Sequence, residues 1–210
     1  MTSRKNEIEA ALVDVRKAYR LLYDYQRSAL DAAKYVGSKL GVEYKGGYSH
    51  FSNSSPKDRK GSLENWAWDW LNLMFYEFHF QGQLSDKSDI NLSIWLFSDT
   101  GYFVSNHAAP DKRDINTFAL PENSATKMGF LFYRHWDESY YPLLKDTLGN
   151  LRRFVEKGEI PSQMHEGGVL GMSCDFSRLS NQISADELIA ELVLLAKTTG
   201  FELDQQNKAK

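Results

Sequence analysis

Glu77 and His79 are the residues whose types and spacing point most directly to chemistry. They stand two apart in FYEFHF, residues 75–80, so a strand there turns both side chains to one face. An ionisable group on an otherwise apolar strand must be paired, hydrated or at a site, because burying it bare is costly. In a site, Glu77 is a general base or metal ligand and His79 a proton shuttle. In a purely structural role, Glu77 pairs with an arginine such as Arg134, and His79 bonds a backbone carbonyl. Asp99 and Asp175 each follow an apolar run and complete an acidic set at one sheet edge, the arrangement a metal-assisted hydrolase needs.

Binding candidates lie elsewhere. Tyr48 and His50 stand among glycines and lysines, Trp66 opens the richest aromatic run, and Arg134 and Trp136 rim the end of a later strand. The five histidines, His50, His79, His107, His135 and His165, fall on separate segments without HxH or HExxH spacing. Local zinc sites are therefore not indicated, and no metal ligand set is assigned. Glycine spacing for a phosphate loop or a dinucleotide fold is absent, as is a GxSxG elbow. Cofactor identity stays open.

The elements that must position these groups follow from periodicity. WAWDWLNLMFYEFHF, residues 66–80, is apolar on both faces in its middle and predicts a turn of helix near 63–69 and a central strand over 70–80. That strand is expected to open to solvent or a cleft at Glu77 and His79. From Ser3 to Leu40, apolar positions step by three and four, predicting one long helix that ends at Gly41. Such a helix often projects beyond its own body, which makes self-association credible.

Residues 41–61 are rich in glycine, serine and lysine and predict a loop. INLSIWLF alternates cleanly, and Asp99-Thr100-Gly101 predicts a tight turn into a returning strand from Tyr102. Residues 128–136 predict the next strand, Tyr141-Pro142 opens a helix through Lys157, and residues 169–176 predict a short strand buried by both neighbours. Ser184 to Glu187 has capping-box spacing before the last helix. Residues 204–210 predict a disordered tail.

The whole therefore reads as one α+β domain over residues 1–203. About five strands, antiparallel or mixed, are packed by the long first helix (1–40) and two C-terminal helices within 62–203. The order of helix, strands, helix, strand resembles the core order of restriction-endonuclease-like nucleases. That resemblance implies an acidic residue followed by an acid-x-Lys pair holding Mg²⁺. Asp99 is suitably placed, but YFVSN and GFLFYRHW lack the triplet and FYEFHF has histidine where lysine is wanted.

A net charge of -3 over 210 residues provides no general attraction to nucleic acid. The single cysteine, Cys174, excludes an intramolecular disulfide and reads as a buried thiol. With no signal-peptide pattern and no membrane-length apolar run, a cytoplasmic protein is expected. Aromatic residues at 13% and the missing catalytic spacing favour a non-catalytic interaction or regulatory module whose partner is a protein or a second copy. The alternative is the nuclease-like hydrolase built on Glu77, His79, Asp99 and Asp175.

Overall fold

The computed structural model describes residues 2–50, 74–104, 114–134, 149–161, 164, 168–198 and 200–203. Helix α1 (Thr2–Leu40) leads into strand β1 (Glu43–Ser49), followed by β2 (Phe75–Gln83), β3 (Asp89–Phe97) and β4 (Lys127–Tyr133). Helix α2 (Gly149–Lys157), strand β5 (Leu170–Asp175) and helix α3 (Gln182–Thr198) complete the described elements. The five strands form one sheet in sequence order, every neighbouring pair antiparallel. The α+β class, the five-stranded sheet, the long first helix and two later helices are as expected. The nuclease comparison weakens, because four strands precede α2 and none is parallel.

Strand β3 holds the middle of the sheet, not residues 70–80. Its Ile90, Leu92, Ile94 and Leu96 join one core, and its Trp95 and Phe97 the other. Strand β2 starts at Phe75 and lies one place out, between β1 and β3. Its Phe78 and Phe80 enter the first core, while Phe75, Glu77 and His79 alternate onto the opposite face.

The first core is closed by α1 and α3 through Ala29, Ala33, Val36 and Leu40 of one and Leu188, Ile189, Leu192 and Ala196 of the other. Alanines at 29 and 33 let α1 lie close to the sheet. Gly41, with φ of 73°, then takes the left-handed turn that ends the helix. The second core is closed by α2, whose Leu151, Phe154 and Val155 are buried. Gly129 on β4 makes that packing fit, since a Cβ there would lie 2.6 Å from the Phe154 ring. Among the described residues, no helix is long and apolar enough to cross a membrane.

Several expectations are corrected. The loop expected at 41–61 contains β1, a real strand paired to β2 with a bulge between Tyr44 and Gly46. Local glycine and lysine content argued against it, and cross-strand pairing overrode that content. Among the described residues no strand starts at Tyr102 after Asp99-Thr100-Gly101; Thr100–Val104 is a 3-10 helix instead. Tyr102 and Phe103 there are nearly fully buried, and Phe103 stacks on Phe97 at 4.8 Å. Burying two rings against the end of β3 outweighs further ladder pairing. β3 instead pairs with β4, which follows after the intervening segment.

Among the described residues β5 is an edge strand, paired only to β4, rather than one buried between neighbours. The cap of α3 is Asn181, whose Oδ1 accepts from the Ser184 amide at 3.0 Å. The helix thus begins one turn before the expected capping box. The helical turn near 63–69, residues 70–73 of the expected strand, Tyr141-Pro142 and the 204–210 tail lie outside the described residues.

Candidate functional site

Four strands bring six polar or aromatic groups, Tyr48, His50, Glu77, His79, Ser93 and Tyr133, together on the α2 face of the sheet. The β1–β2 register sets Tyr48 opposite Glu77 and Gly46 opposite His79. Just beyond β1, the His50 amide donates to the Phe75 carbonyl at 3.0 Å and holds its imidazole beside β2. In β3, Ser93 sits opposite His79, and from β4 the Tyr133 hydroxyl reaches Ser93 Oγ at 3.1 Å. Gly47 is required here for close approach, because a Cβ would collide with the Glu77 carbonyl oxygen.

Glu77 is the centre. Its side chain has no exposed surface, and Oε2 lies 2.6 Å from His50 Nε2. Oε1 lies 3.6 Å from His79 Nε2. His79 Nδ1 is in turn 3.4 Å from Ser93 Oγ. Tyr48 stacks on the His79 ring at 5.2 Å and meets the His50 ring at 4.7 Å. Phe75 also stacks on His50 at 4.7 Å, and Trp95 is 5.5 Å away.

Burial alone would push the Glu77 carboxyl up. The His50 hydrogen bond, the charges of His50 and His79, and the Ser93 hydroxyl more than reverse this and hold it at about 2. Burial pushes His79 down, partly opposed by the Glu77 charge. Burial also pushes the Tyr133 phenol up to about 12, so it remains a neutral donor and acceptor at physiological pH.

The residue types Ser93, His79 and Glu77 would suit a nucleophile, a base and an orienting acid. The geometry denies that role: Ser93 has no exposed surface, so an acyl or phosphoryl group cannot reach its hydroxyl. A carboxylate held at about 2 is likewise a weak base at neutral pH. The cluster is better suited to hold a buried charge between two imidazoles and lock β1, β2 and β3 in register. Such a network specifies a unique arrangement when its members are satisfied.

The expected convergence of four acid and base groups does not occur. Asp99 caps a turn, its Oδ1 accepting from the Gly101 amide at 2.8 Å. Asp175 ends β5, where it pairs with Lys127 at 2.7 Å. β5 is three strands from β2, or about 14 Å at ordinary strand spacing. Arg134 does not reach Glu77; it donates to the Gly200 carbonyl at 3.3 Å and lies over the Phe201 ring. Of the opening expected at Glu77 and His79, Glu77 is closed off from solvent, whereas His79 is partly exposed and lines a surface cavity of about 310 Å³ with Lys45, Asn91 and Tyr133. Trp66 and Trp136 lie outside the described residues, and among those described no group of three or more His, Cys, Asp or Glu is arranged to hold a metal ion.

Sequence reasoning paired Glu77 with His79, named Tyr48 and His50 apart from them as binding candidates, and missed Ser93 and Tyr133. Ser93 was legible as the polar interruption in INLSIWLF, had the β2–β3 register been known. Tyr133 had no such signal, because its hydroxyl approaches from β4.

A family model described as PM0109 matches residues 5–205. The chain belongs to the PM0109 family. A curated relative, Uncharacterized protein PM0109 of Pasteurella multocida (strain Pm70), is 44% identical over 46 residues, which cover 22% of this chain and 21% of that protein. The chain thus spans about a fifth of the length of the curated relative it matches. No solved structure matches it. The names carried by PM0109 and its family state no substrate, ligand or partner, so function rests on the geometry.

A second surface emerges once burial is compared along α1. The three-and-four stepping places Ile8, Leu12, Val15, Tyr19, Leu22, Gln26, Ala29, Ala33, Val36 and Leu40 on one continuous seam. Its last four residues are at most 2% exposed against the sheet. Ile8, Leu12, Val15, Tyr19 and Leu22 are between 40% and 72% exposed. The neighbouring Tyr23 and Leu30 widen the exposed stripe.

Proposed function

We propose that this protein is a non-catalytic interaction module whose contact element is the first half of α1. The carrying observation is the seam that the fold covers from Ala29 onward and leaves bare from Ile8 to Leu22. Single exposed apolar residues need no explanation, but a continuous stripe with coiled-coil spacing marks an interaction surface. Its chemistry, aliphatic side chains and tyrosines on a helix, suits a protein helix laid alongside. Net charge supports no nucleic-acid partner, and a single buried thiol is compatible with a reducing cytoplasm. The His50–Glu77–His79 cluster serves the scaffold in this reading.

A photo-crosslinking residue placed at Tyr19 in the native cells tests the proposal. A discrete protein adduct is expected there, and none from Lys17 on the opposite, charged face. Absence of any protein adduct at Tyr19 refutes the reading.

A further inference from the structure

Resting on that reading, we infer that the partner is a second copy of this chain, bound through an antiparallel pairing of the two α1 helices about a two-fold axis between Val13 and Asp14. The alternation of four and three from Ile8 to Leu40 is the seven-residue repeat of a left-handed coiled coil. The seam is already an interface in its second half, where the protein's own sheet and α3 cover it. The bare half continues that interface outward, so what covers it must follow the same spacing.

Direction follows from what the seam meets at its two ends. A parallel partner helix would run along the seam toward Ala29 and collide with the sheet already seated there. It would also bring both folded bodies to the same end. An antiparallel partner leaves the two folded bodies at opposite ends of the shared helices.

Centred between Val13 and Asp14, the antiparallel register is self-complementary in shape and charge. Ile8 meets the partner's Tyr19 and Leu12 meets the partner's Val15, each contact repeated by symmetry. On one flank Glu9 faces the partner's Arg16, giving two opposite-charge pairs. On the other flank Ala11 faces the partner's Ala18, small residues that allow close approach. All eight of these residues are exposed in the single chain. In a parallel pair, flanking positions would instead set Arg4 against the partner's Glu9 and leave Arg16 opposite an alanine.

Sedimentation equilibrium on the full chain across the micromolar range tests this. The expected mass is twice 24.1 kDa at the upper concentrations. Tyr19→Glu should yield a monomer whose melting temperature matches that of the wild type at dilutions where the wild type is also monomeric, because that ring is 72% exposed. Glu9→Arg and Arg16→Glu should each weaken the dimer about fivefold or more, and the double exchange E9R/R16E should restore it to within about twofold. Rescue by R4E/E9R instead overturns the antiparallel register. A wild-type chain that stays monomeric throughout, or a dimer indifferent to Tyr19→Glu, overturns the inference. A monomer whose Tyr19 crosslinks to a different protein sinks this inference alone, while a Tyr19 that traps no protein sinks the interaction reading itself.

Discussion

Replacing Glu77 by glutamine probes what locks the first three strands together. The side chain keeps its shape and one neutral hydrogen bond to His50 but loses the charge between the two imidazoles. The carboxyl is held at about 2 against an ordinary 4.5. At about 1.4 kcal/mol for each tenfold change in proton affinity, that difference corresponds to about 3 kcal/mol of stability. The folded-state value lies below the unfolded one, so the contribution is complete above about pH 4.5 and fades as the pH falls toward 2. Roughly half should remain at pH 3. Urea unfolding of wild type and Glu77→Gln at pH 7 and pH 3, followed by tryptophan fluorescence, measures both quantities. The midpoint difference should correspond to about 3 kcal/mol at pH 7 and about half that at pH 3. A cost below about 1 kcal/mol at pH 7, or one that does not shrink in acid, would show that the His50–Glu77 pair does not carry this stabilisation.

Three further outcomes follow from packing. Gly129→Ala should destabilise by about 1–3 kcal/mol, because its Cβ would press on the buried Phe154 ring at 2.6 Å; thermal unfolding reads this directly. Asn181→Ala should cost about 1 kcal/mol by freeing the first-turn amide that its side chain caps, whereas Ser184→Ala should cost less, and paired chemical denaturation curves separate the two. Cys174 is buried, and that burial pushes its thiol up to about 11. Its reaction with a disulfide reagent at pH 8 should therefore be roughly 100-fold slower in the native protein than in denaturant, and equal rates would contradict the burial.

Local pattern alone determined more of this protein's elements than of its contacts. The step of three and four marked α1 from end to end, the alternation in INLSIWLF marked β3, and the apolar run before Gly200 marked α3. Those signals survive because each element must bury one stripe or one face, and its period is set by backbone geometry. Residue type likewise singled out Glu77 and His79, since charged groups on an apolar strand need a reason to be there. Tertiary structure alone decided which strand lies in the middle, that glycine-rich residues 43–49 pair as β1, and that Tyr102 and Phe103 fold back as a 3-10 helix. It alone made His50 the partner of Glu77 and left half of the α1 seam bare. Each of these depends on neighbours distant in sequence, and a periodic stripe reads the same whether a sheet, a second chain or water lies against it.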